Sequence, residues 1–370
     1  MAEIKRVLQV VGKMHYGGME TLIMNIYRNI DREKLQFDFL VHYTEKGEYD
    51  DEIEELGGNI YYMPKTELAN IFIYKTEIKK FFSQHHNYVC VHGHLHNAAF
   101  LYLKEAKKYQ IPTIEHIHNS GIGRKIKDRI GFLTTRLGIK YADYLFSCSD
   151  EATKFYFGEK MISKAIVLKN GIDVSKYALK NEIRDRMRKK YKVEHDFVIL
   201  HVGRFSKQKN HEYLIDIYKK VVEKKQNTHL FLIGEGEMKP YIEKKVKKMG
   251  LDEKITFLGG QKNINEWMMM ADCFLLPSLY EGLPLVLIES QTACLKSVIS
   301  TKVPNEVVLT NTVFYLSLEN NEKEWAEEIL NISFERNQDT VSQVREAGFD
   351  IIKTSKYLEN WYIKRNICNK

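Results

Sequence analysis

Cys273-Phe274-Leu275-Leu276-Pro277-Ser278-Leu279-Tyr280-Glu281-Gly282-Leu283-Pro284-Leu285-Val286-Leu287-Ile288-Glu289-Ser290 reads as a strand, a tight turn and a helix in direct succession. The run Cys273–Pro277 is apolar throughout, as expected of a strand covered on both faces. Gly282 permits the tight turn, and Pro284 suits the first turn of a helix over Pro284–Ala293. Two carboxylates interrupt this apolar string. Glu281 falls in the turn, and Glu289 falls eight residues later on the helix, beside Val286, Leu287 and Ile288. A carboxylate among such neighbours is costly unless something pairs with it, and a pair of ribose hydroxyls would satisfy it. The alternative is an exposed helix face.

The same grammar extends in both directions. Upstream, strands are expected at Phe197–Val202, His229–Ile233 and Ile255–Leu258, and downstream at Ser297–Ser300, with helices over Glu212–Lys224 and Met238–Lys248. The first half repeats it with strands at Arg6–Val11, Phe37–Val41, Asn59–Met63, Val89–His92, Thr113–His116, Tyr144–Cys148 and Ala165–Leu168. A helix over Glu20–Ile30 carries Leu22, Ile23, Ile26 and Ile30 on one face. Alternating strands and helices imply parallel sheets with helices on both faces, in two doubly wound blocks. The join is expected near Asn170–His195, where the strand pattern stops. Lys180–Lys192 reads as a charged helix without a long apolar face. Ile351–Asn366, with Tyr357, Trp361 and Tyr362, reads as a closing helix.

Composition agrees with two domains in 370 residues, of which 44% are hydrophobic and 28% charged. This excludes disorder and collagen. The five cysteines, Cys90, Cys148, Cys273, Cys294 and Cys368, form no C-x-x-C pair, so a zinc ribbon or thioredoxin-type site is not expected and a reducing cytoplasm is. The opening run Val7-Leu8-Gln9-Val10-Val11 has a Gln inside it and reads as a first strand rather than a signal segment. No stretch approaches eighteen apolar residues, so no membrane span is expected. The net charge of +7 weakly favours anionic partners and decides nothing alone.

In doubly wound sheets ligands bind beyond the carboxyl ends of the strands, and the unusual residues fall there. After the first strand come Gly17, Gly18 and Glu20 at the start of a helix, where glycines admit a close ligand and a helix amino end favours phosphate. This is neither a P-loop nor a dinucleotide fingerprint. His92, His94, His96, His116 and His118 put five of thirteen histidines into 27 positions. Period two would set the first three on one side if the strand continued. A metal site, a polar pocket lining and ordinary strand-end histidines are the readings, with no H-E-x-x-H or D-x-D to favour the first. Gly203-Arg204 and Lys209 follow the first strand of the second block, where both cations could face one anion. Gly234-Glu235-Gly236 follows the next strand but lacks the third glycine of a dinucleotide fingerprint. Met268-Met269-Met270 reads as core filling.

Together these motifs resemble glycosyltransferase family 4, the retaining transferases of the GT-B fold, and in wording the bacterial exopolysaccharide and capsule transferases. The resemblance rests on Gly17-Gly18 with Glu20, the histidine-bearing strand ends, Asn170-Gly171-Ile172-Asp173, Gly203-Arg204 with Lys209, Gly234-Glu235-Gly236, and Pro277-Ser278 leading to Glu281 and Glu289. These occur in family order over nearly the whole chain.

The resemblance implies an α/β GT-B architecture of two Rossmann-like, doubly wound domains facing a central cleft. Residues 1–175 would form the acceptor-side domain, with the closing helix 352–370 packed back on it. Residues 176–351 would bind the nucleotide-sugar donor. By position, Arg204 and Lys209 hold the donor diphosphate, Glu281 meets the donor sugar and Glu289 the ribose. Gly17, Gly18, Gly203, Gly234, Gly236, Gly282 and Leu283 complete the donor site. His118 matches the active-site histidine, and His94 and His116 line the acceptor side. Transfer is expected to retain configuration. Arg204, Lys209 and helix amino ends would stabilise the leaving diphosphate without a metal or other cofactor.

A UDP-sugar is the first choice of donor, with a glycan or lipid-linked acceptor, at a cytoplasmic location. The segment 124–140, with six basic residues and Ile126, Ile130, Leu133 and Leu137 at helical spacing, reads either as a helix on an anionic membrane or as a solvated face over the core. Other readings are a non-catalytic binding subunit, a lipid or teichoic-acid transferase using another donor, and a nicotinamide-dependent oxidoreductase. Retention of Arg204, Lys209, Glu281 and Glu289 opposes the first of these. The missing G-x-G-x-x-G opposes the last. Nucleic-acid binding has no motif behind it.

Overall fold

The computed structural model describes residues 4–15, 17–66, 70–118, 136–333, 335–336 and 339–365. Two compact units emerge, one of residues 1–171 with 351–370, the other of residues 172–350. The first holds a parallel sheet of β1 (Lys5–Val11), β2 (Leu35–Val41), β3 (Ile60–Tyr62), β4 (Cys90–Gly93), β5 (Thr113–Ile117), β6 (Tyr144–Ser147) and β7 (Ile166–Val167), in the order β3-β2-β1-β4-β5-β6-β7. The second holds β8 (Phe197–Val202), β9 (Thr228–Ile233), β10 (Ile255–Phe257), β11 (Cys273–Leu276), β12 (Lys296–Ser300) and β13 (Val313–Leu316), in the order β10-β9-β8-β11-β12-β13. Both are parallel α/β sheets of the doubly wound kind, and each reverses its winding between its first and fourth strands.

Strand parity explains the continuous apolar runs. In β1, Val7 and Val11 face one core with Leu22, Ile23 and Ile26 of the helix Gly18–Asn29 and Leu358 and Tyr362 of the helix Ile351–Arg365. Leu8 and Val10 face the opposite core with Tyr74, Ile78 and Tyr102. In β8, Val198 and Leu200 pack toward Trp267 and Leu287, whereas Phe197 and Ile199 pack toward Leu214, Tyr218 and Trp325. Burying both faces of a strand removes any place for polar residues except its ends or an internal network.

Several expectations change in detail. The division between units falls at Ile172 rather than after residue 175, because the Ile172 N–H donates to the Phe349 carbonyl and Ile172 pairs with Asp350. β13 was not expected. It is a short, half-buried edge strand, Val313-Phe314-Tyr315-Leu316, too brief an apolar run to stand out from its neighbours. β4 ends at Gly93, so His96 leaves the line of His92 and His94. Of the basic segment 124–140, residues 124–135 lie outside the described residues.

The charged helix Asn181–Tyr191 is not a solvated face. Arg184 reaches the carbonyls of Met269, Met270 and Ala271, and Arg188 that of Met270. Arg336 joins them on Met268, Met269 and Ala271. Three guanidiniums thus cap the carboxyl end of the helix Ile264–Met270, where free carbonyls and the dipole favour cations. Met268, Met269 and Met270 are fully buried, as core filling requires. One carboxylate, Asp272, balances the cluster through Arg184, Arg188 and the Val198 N–H. Burial alone would raise its pKa, but Arg184, the Val198 N–H and Arg188 together hold it below the usual carboxylate range. Asp272→Asn is therefore expected to lower stability by about 3 kcal/mol, since removing one member of a buried charge cluster leaves the others uncompensated. Thermal unfolding of the purified variant checks this as a fall of several degrees.

Candidate functional site

β8 and β11 lie side by side at the point where the second sheet reverses its winding, and the loops that follow them are stitched together. After Gly203-Arg204-Phe205-Ser206 the chain makes one tight turn, Lys207–Lys209, and enters the helix His211–Lys224 through Asn210. Asn210 has φ +55°, a left-handed conformation that Asn tolerates. Its amide donates to the Pro277 carbonyl at 3.1 Å. The Leu279 N–H donates to the Gln208 carbonyl, and the Gln208 side chain donates to the Tyr280 carbonyl and to Glu281 Oε2.

At the centre Lys209 Nζ lies 2.6 Å from Glu281 Oε1, and Ser278 Oγ donates to the same oxygen at 2.6 Å. The Glu281 side chain is only 5% exposed and that of Lys209 15%. A charged pair this covered holds its geometry because each partner alone would bear a desolvation cost. Arg204 is arranged differently. It projects into solvent, 75% exposed, and meets Glu237 at 3.1 Å. The two cations do not share an anion; each has its own carboxylate.

Glycines set the approach of the β8 and β9 loops. Gly234 (φ +141°) and Gly236 (φ +155°) stand where an added Cβ would overlap the backbone of Gly203 and of Phe205. Gly282 is different, since a Cβ there meets nothing within 4 Å. Leu283 is half-buried against the core, and the helix Leu285–Thr292 begins after Pro284 without a side-chain cap, leaving its first N–H groups free of one.

Glu289 sits one face inward on that helix and is half-buried. Burial pushes its carboxyl up to about 7, against a hydrogen bond from Tyr177 and the charge of Lys176, which pull it down. Tyr177 is placed by a chain of local causes. Asp173 accepts from the N–H groups of Ser175 and Lys176 and so caps the short helix Val174–Tyr177, whose last residue reaches Glu289.

In the first unit the switch between β1 and β4 carries a buried polar cluster. His92 and His94 stack with centroids 4.3 Å apart, and His116 and His118 lie tilted to each other at 4.0 Å. His92 Nε2 lies 3.1 Å from His116 Nδ1, and His94 bonds to His118 and to Gln9. His96 instead meets the buried Glu115 at 3.1 Å. His92, His94 and His116 are close enough to hold a metal ion. Five of their six ring nitrogens are already hydrogen-bonded, however, so a metal would have to displace those bonds. Gly17 precedes the helix Gly18–Asn29 with Glu20 folded beneath it, so a Cβ on Gly17 would overlap that carboxylate, whereas Gly18 is open.

Comparison with known proteins follows these two switch points. Residues 16–176 match the family model described as Glycosyltransferase Family 4, and residues 183–349 that described as Glycosyl transferases group 1. The chain is 33% identical to the putative glycosyltransferase EpsF of Bacillus subtilis (strain 168), over 88% of this chain and 87% of that one. It belongs to glycosyltransferase family 4. The capsular polysaccharide biosynthesis glycosyltransferase CapH of Staphylococcus aureus is 25% identical over 98% of this chain and 99% of its own. Among solved structures, Anabaena HepE in complex with UDP superposes with a TM-score of 0.77 at 17% identity, covering 95% of this chain and 98% of that one. HepE has also been solved with UDP-glucose. The fold of this family 4 chain is GT-B, with its seven- and six-stranded parallel sheets.

Sequence reasoning missed four residues of these networks. Gln208 was given no role because an uncharged side chain next to Lys209 carries no signal of its own, and Ser278 entered only as part of the Pro277-Ser278 motif, without a partner. Tyr177 was not singled out because its link to Glu289 is long-range. Gln9 did have a signal, being the polar residue inside an apolar strand.

Two measurements test this geometry. Lys209→Met is expected to lower stability by about 3–5 kcal/mol by stranding Glu281, and the double variant Lys209→Met/Glu281→Leu to recover most of that loss. A double-mutant cycle by denaturant unfolding reads the coupling. Glu289 has its pKa raised in the folded chain, so its contribution to stability is full below about 4.5 and is lost as pH rises through about 7. Glu289→Gln is expected to match the wild-type Tm below about pH 4.5, to exceed it increasingly as pH rises to about 7, and to keep a constant advantage above that.

Proposed function

We propose that this family 4 protein transfers a sugar, with retention of configuration, from a UDP-sugar to a glycan or lipid-linked acceptor in the building of an exopolysaccharide or capsule. The observation that carries the reading is the covered Lys209–Glu281–Ser278 cluster at the switch point of the second sheet. A fixed cation there, beside the uncapped amino end of Leu285–Thr292, suits a diphosphate. Support for the donor comes from HepE, solved with UDP and with UDP-glucose, and support for the process from the name of CapH.

On this reading Lys209 faces the diphosphate, with Glu281 holding it in place and meeting the sugar. Arg204 closes on the phosphates from the rim, exchanging its exposed contact with Glu237 for them. Glu289 accepts the ribose hydroxyls in its ionised form. Gly203, Gly234 and Gly236 keep the loop backbones close enough to leave that space. Gly282 and Leu283 turn the chain into the helix. His118, with His94 and His116, serves the acceptor side.

The anomeric carbon–oxygen bond to the diphosphate breaks with its electron pair leaving on the phosphate oxygen, where Lys209, Arg204 and helix N–H groups stabilise the charge. The acceptor oxygen bonds to the same carbon on the same face, and its proton is transferred, net, to the departing diphosphate. No cofactor is called for in this step. No helix among the described residues is long and apolar enough to cross a membrane. We place the reaction at the cytoplasmic face of a membrane, with residues 124–140 as the contact.

The test is thermal unfolding of the full chain with UDP, GDP and NAD in turn, for wild type and Glu289→Ala. Ligand at about 100 times its Kd stabilises by about 2.7 kcal/mol, a shift of a few degrees. A shift with UDP that is lost in Glu289→Ala is the expected result. A shift with GDP alone replaces the donor, and one with NAD alone overturns the transferase reading.

A further inference from the structure

Gln9 stands in the middle of β1, in register with His92 of β4, and is 2% exposed. Its side chain stands beside two chains of imidazoles. In one, Gln9 Oε1 lies 2.8 Å from His94 Nε2, and His94 Nδ1 lies 2.7 Å from His118 Nε2. In the other, Tyr362, beside Gln9, bonds through its hydroxyl to His92 Nδ1, and His92 Nε2 lies 3.1 Å from His116 Nδ1. Burial keeps all four rings neutral, by driving their pKa values far below the usual histidine range.

A neutral imidazole has one donor nitrogen and one acceptor nitrogen, so a direction imposed at one end of such a chain runs to the other. An amide oxygen only accepts. His94 therefore donates from Nε2 and accepts at Nδ1. His118 must then donate from Nε2, which leaves a lone pair on Nδ1. In the second chain the Tyr362 hydroxyl donates to His92 Nδ1, a phenol being a better donor than acceptor toward a neutral imidazole, and His92 donates from Nε2 to His116 Nδ1. His116 then keeps its proton on Nε2. These two terminal atoms, His118 Nδ1 and His116 Nε2, are buried and have no hydrogen-bond partner among the described residues. Buried polar atoms without partners are rare and call for an occupant.

We propose that Gln9 is a positioning residue for the transfer: its amide oxygen fixes the tautomers of His94 and His118, as Tyr362 fixes those of His92 and His116, so that His118 presents an acceptor and His116 a donor. An acceptor and a donor are what a hydroxyl group, which both donates and accepts, can meet, and hydroxyls are what every sugar substrate carries. The inference rests on the reading that places His118 at the reaction.

The test uses the full chain labelled with 15N-histidine, with His118→Gln and His116→Gln to assign the long-range imidazole spectra. The wild-type spectrum alone is expected to show both rings protonated on Nε2, His118 with a bare Nδ1. Gln9→Met removes the accepting oxygen, and the proton of His118 is expected to move to Nδ1. With it, kcat falls about 10- to 100-fold at little-changed donor KM, the scale of losing a partner that orients an imidazole. A wild-type His118 protonated on Nδ1, or a tautomer that Gln9→Met leaves unchanged, overturns the role of Gln9. Full transfer by His118→Gln would instead remove His118 from the reaction, while the spectra still decide what Gln9 does.

Discussion

A parallel strand covered on both faces has no wet side, and most of what distinguishes this chain follows from that constraint. Any polar side chain within such a strand must be answered inside the protein. Asp38 in β2 is answered by Arg6 and Asn59. Glu115 in β5 is answered by His96, and His201 in β8 by the Leu275 carbonyl. Gln9 in β1 is answered by His94 just beyond β4, and His92 in β4 and His116 in β5 answer each other. Polar groups otherwise collect where the strands end, and there the reversal of winding brings loops from adjacent strands together. The two candidate centres are these two kinds of place, one inside the sheet and one just beyond it.

Much of this was legible because the signals were local. The strand–turn–helix reading of Cys273–Ser290 and the long apolar runs of β1, β2, β8 and β9 reflect burial on both faces, which writes itself into a few consecutive residues. Gly234 and Gly236 were legible as special but for a less direct reason than the one given them. The space they keep clear is filled by the backbone of Gly203 and Phe205. What could not be read was decided by distant partners. Arg184 and Arg188 look like surface charge until Met268, Met269, Met270 and Asp272 are brought beneath them. The β13 edge strand takes its place from pairing with β12 rather than from its own pattern. Tyr177 gains meaning only once the short helix that Asp173 caps lies against Glu289.

The histidines show the limit most clearly. Their spacing predicts a single row, and the row breaks at Gly93, where the chain leaves β4 for a tight turn. His92 and His116 remain on the sheet face beneath the helix Ile351–Arg365, while His96 turns to the other side and pairs with Glu115. Spacing alone left a metal, a pocket and ordinary packing open. The hydrogen bonds favour a network closed upon itself except at two atoms, because nearly every nitrogen that a metal would need is already bonded.

The two centres differ in kind, and the difference bears on the reaction. Beyond the second sheet stand ions: Lys209 with Glu281, Arg204 with Glu237, and Glu289 poised to ionise near neutral pH. Inside the first sheet the imidazoles are too deeply covered to carry charge, since no carboxylate lies against His92, His94 or His116 among the described residues to offset desolvation. A site of fixed charges suits a ligand that is itself charged and gains charge as it departs, as a nucleoside diphosphate does. A site of neutral donors and acceptors suits a hydroxyl, for which charge would bring no advantage and direction brings much. A sugar transfer needs one of each. In this chain the division is built from opposite answers to one problem: an ion pair kept at the sheet's carboxyl edge, where water and ligand can share its desolvation, and a tautomer chain kept within the sheet, where only uncharged groups can be held.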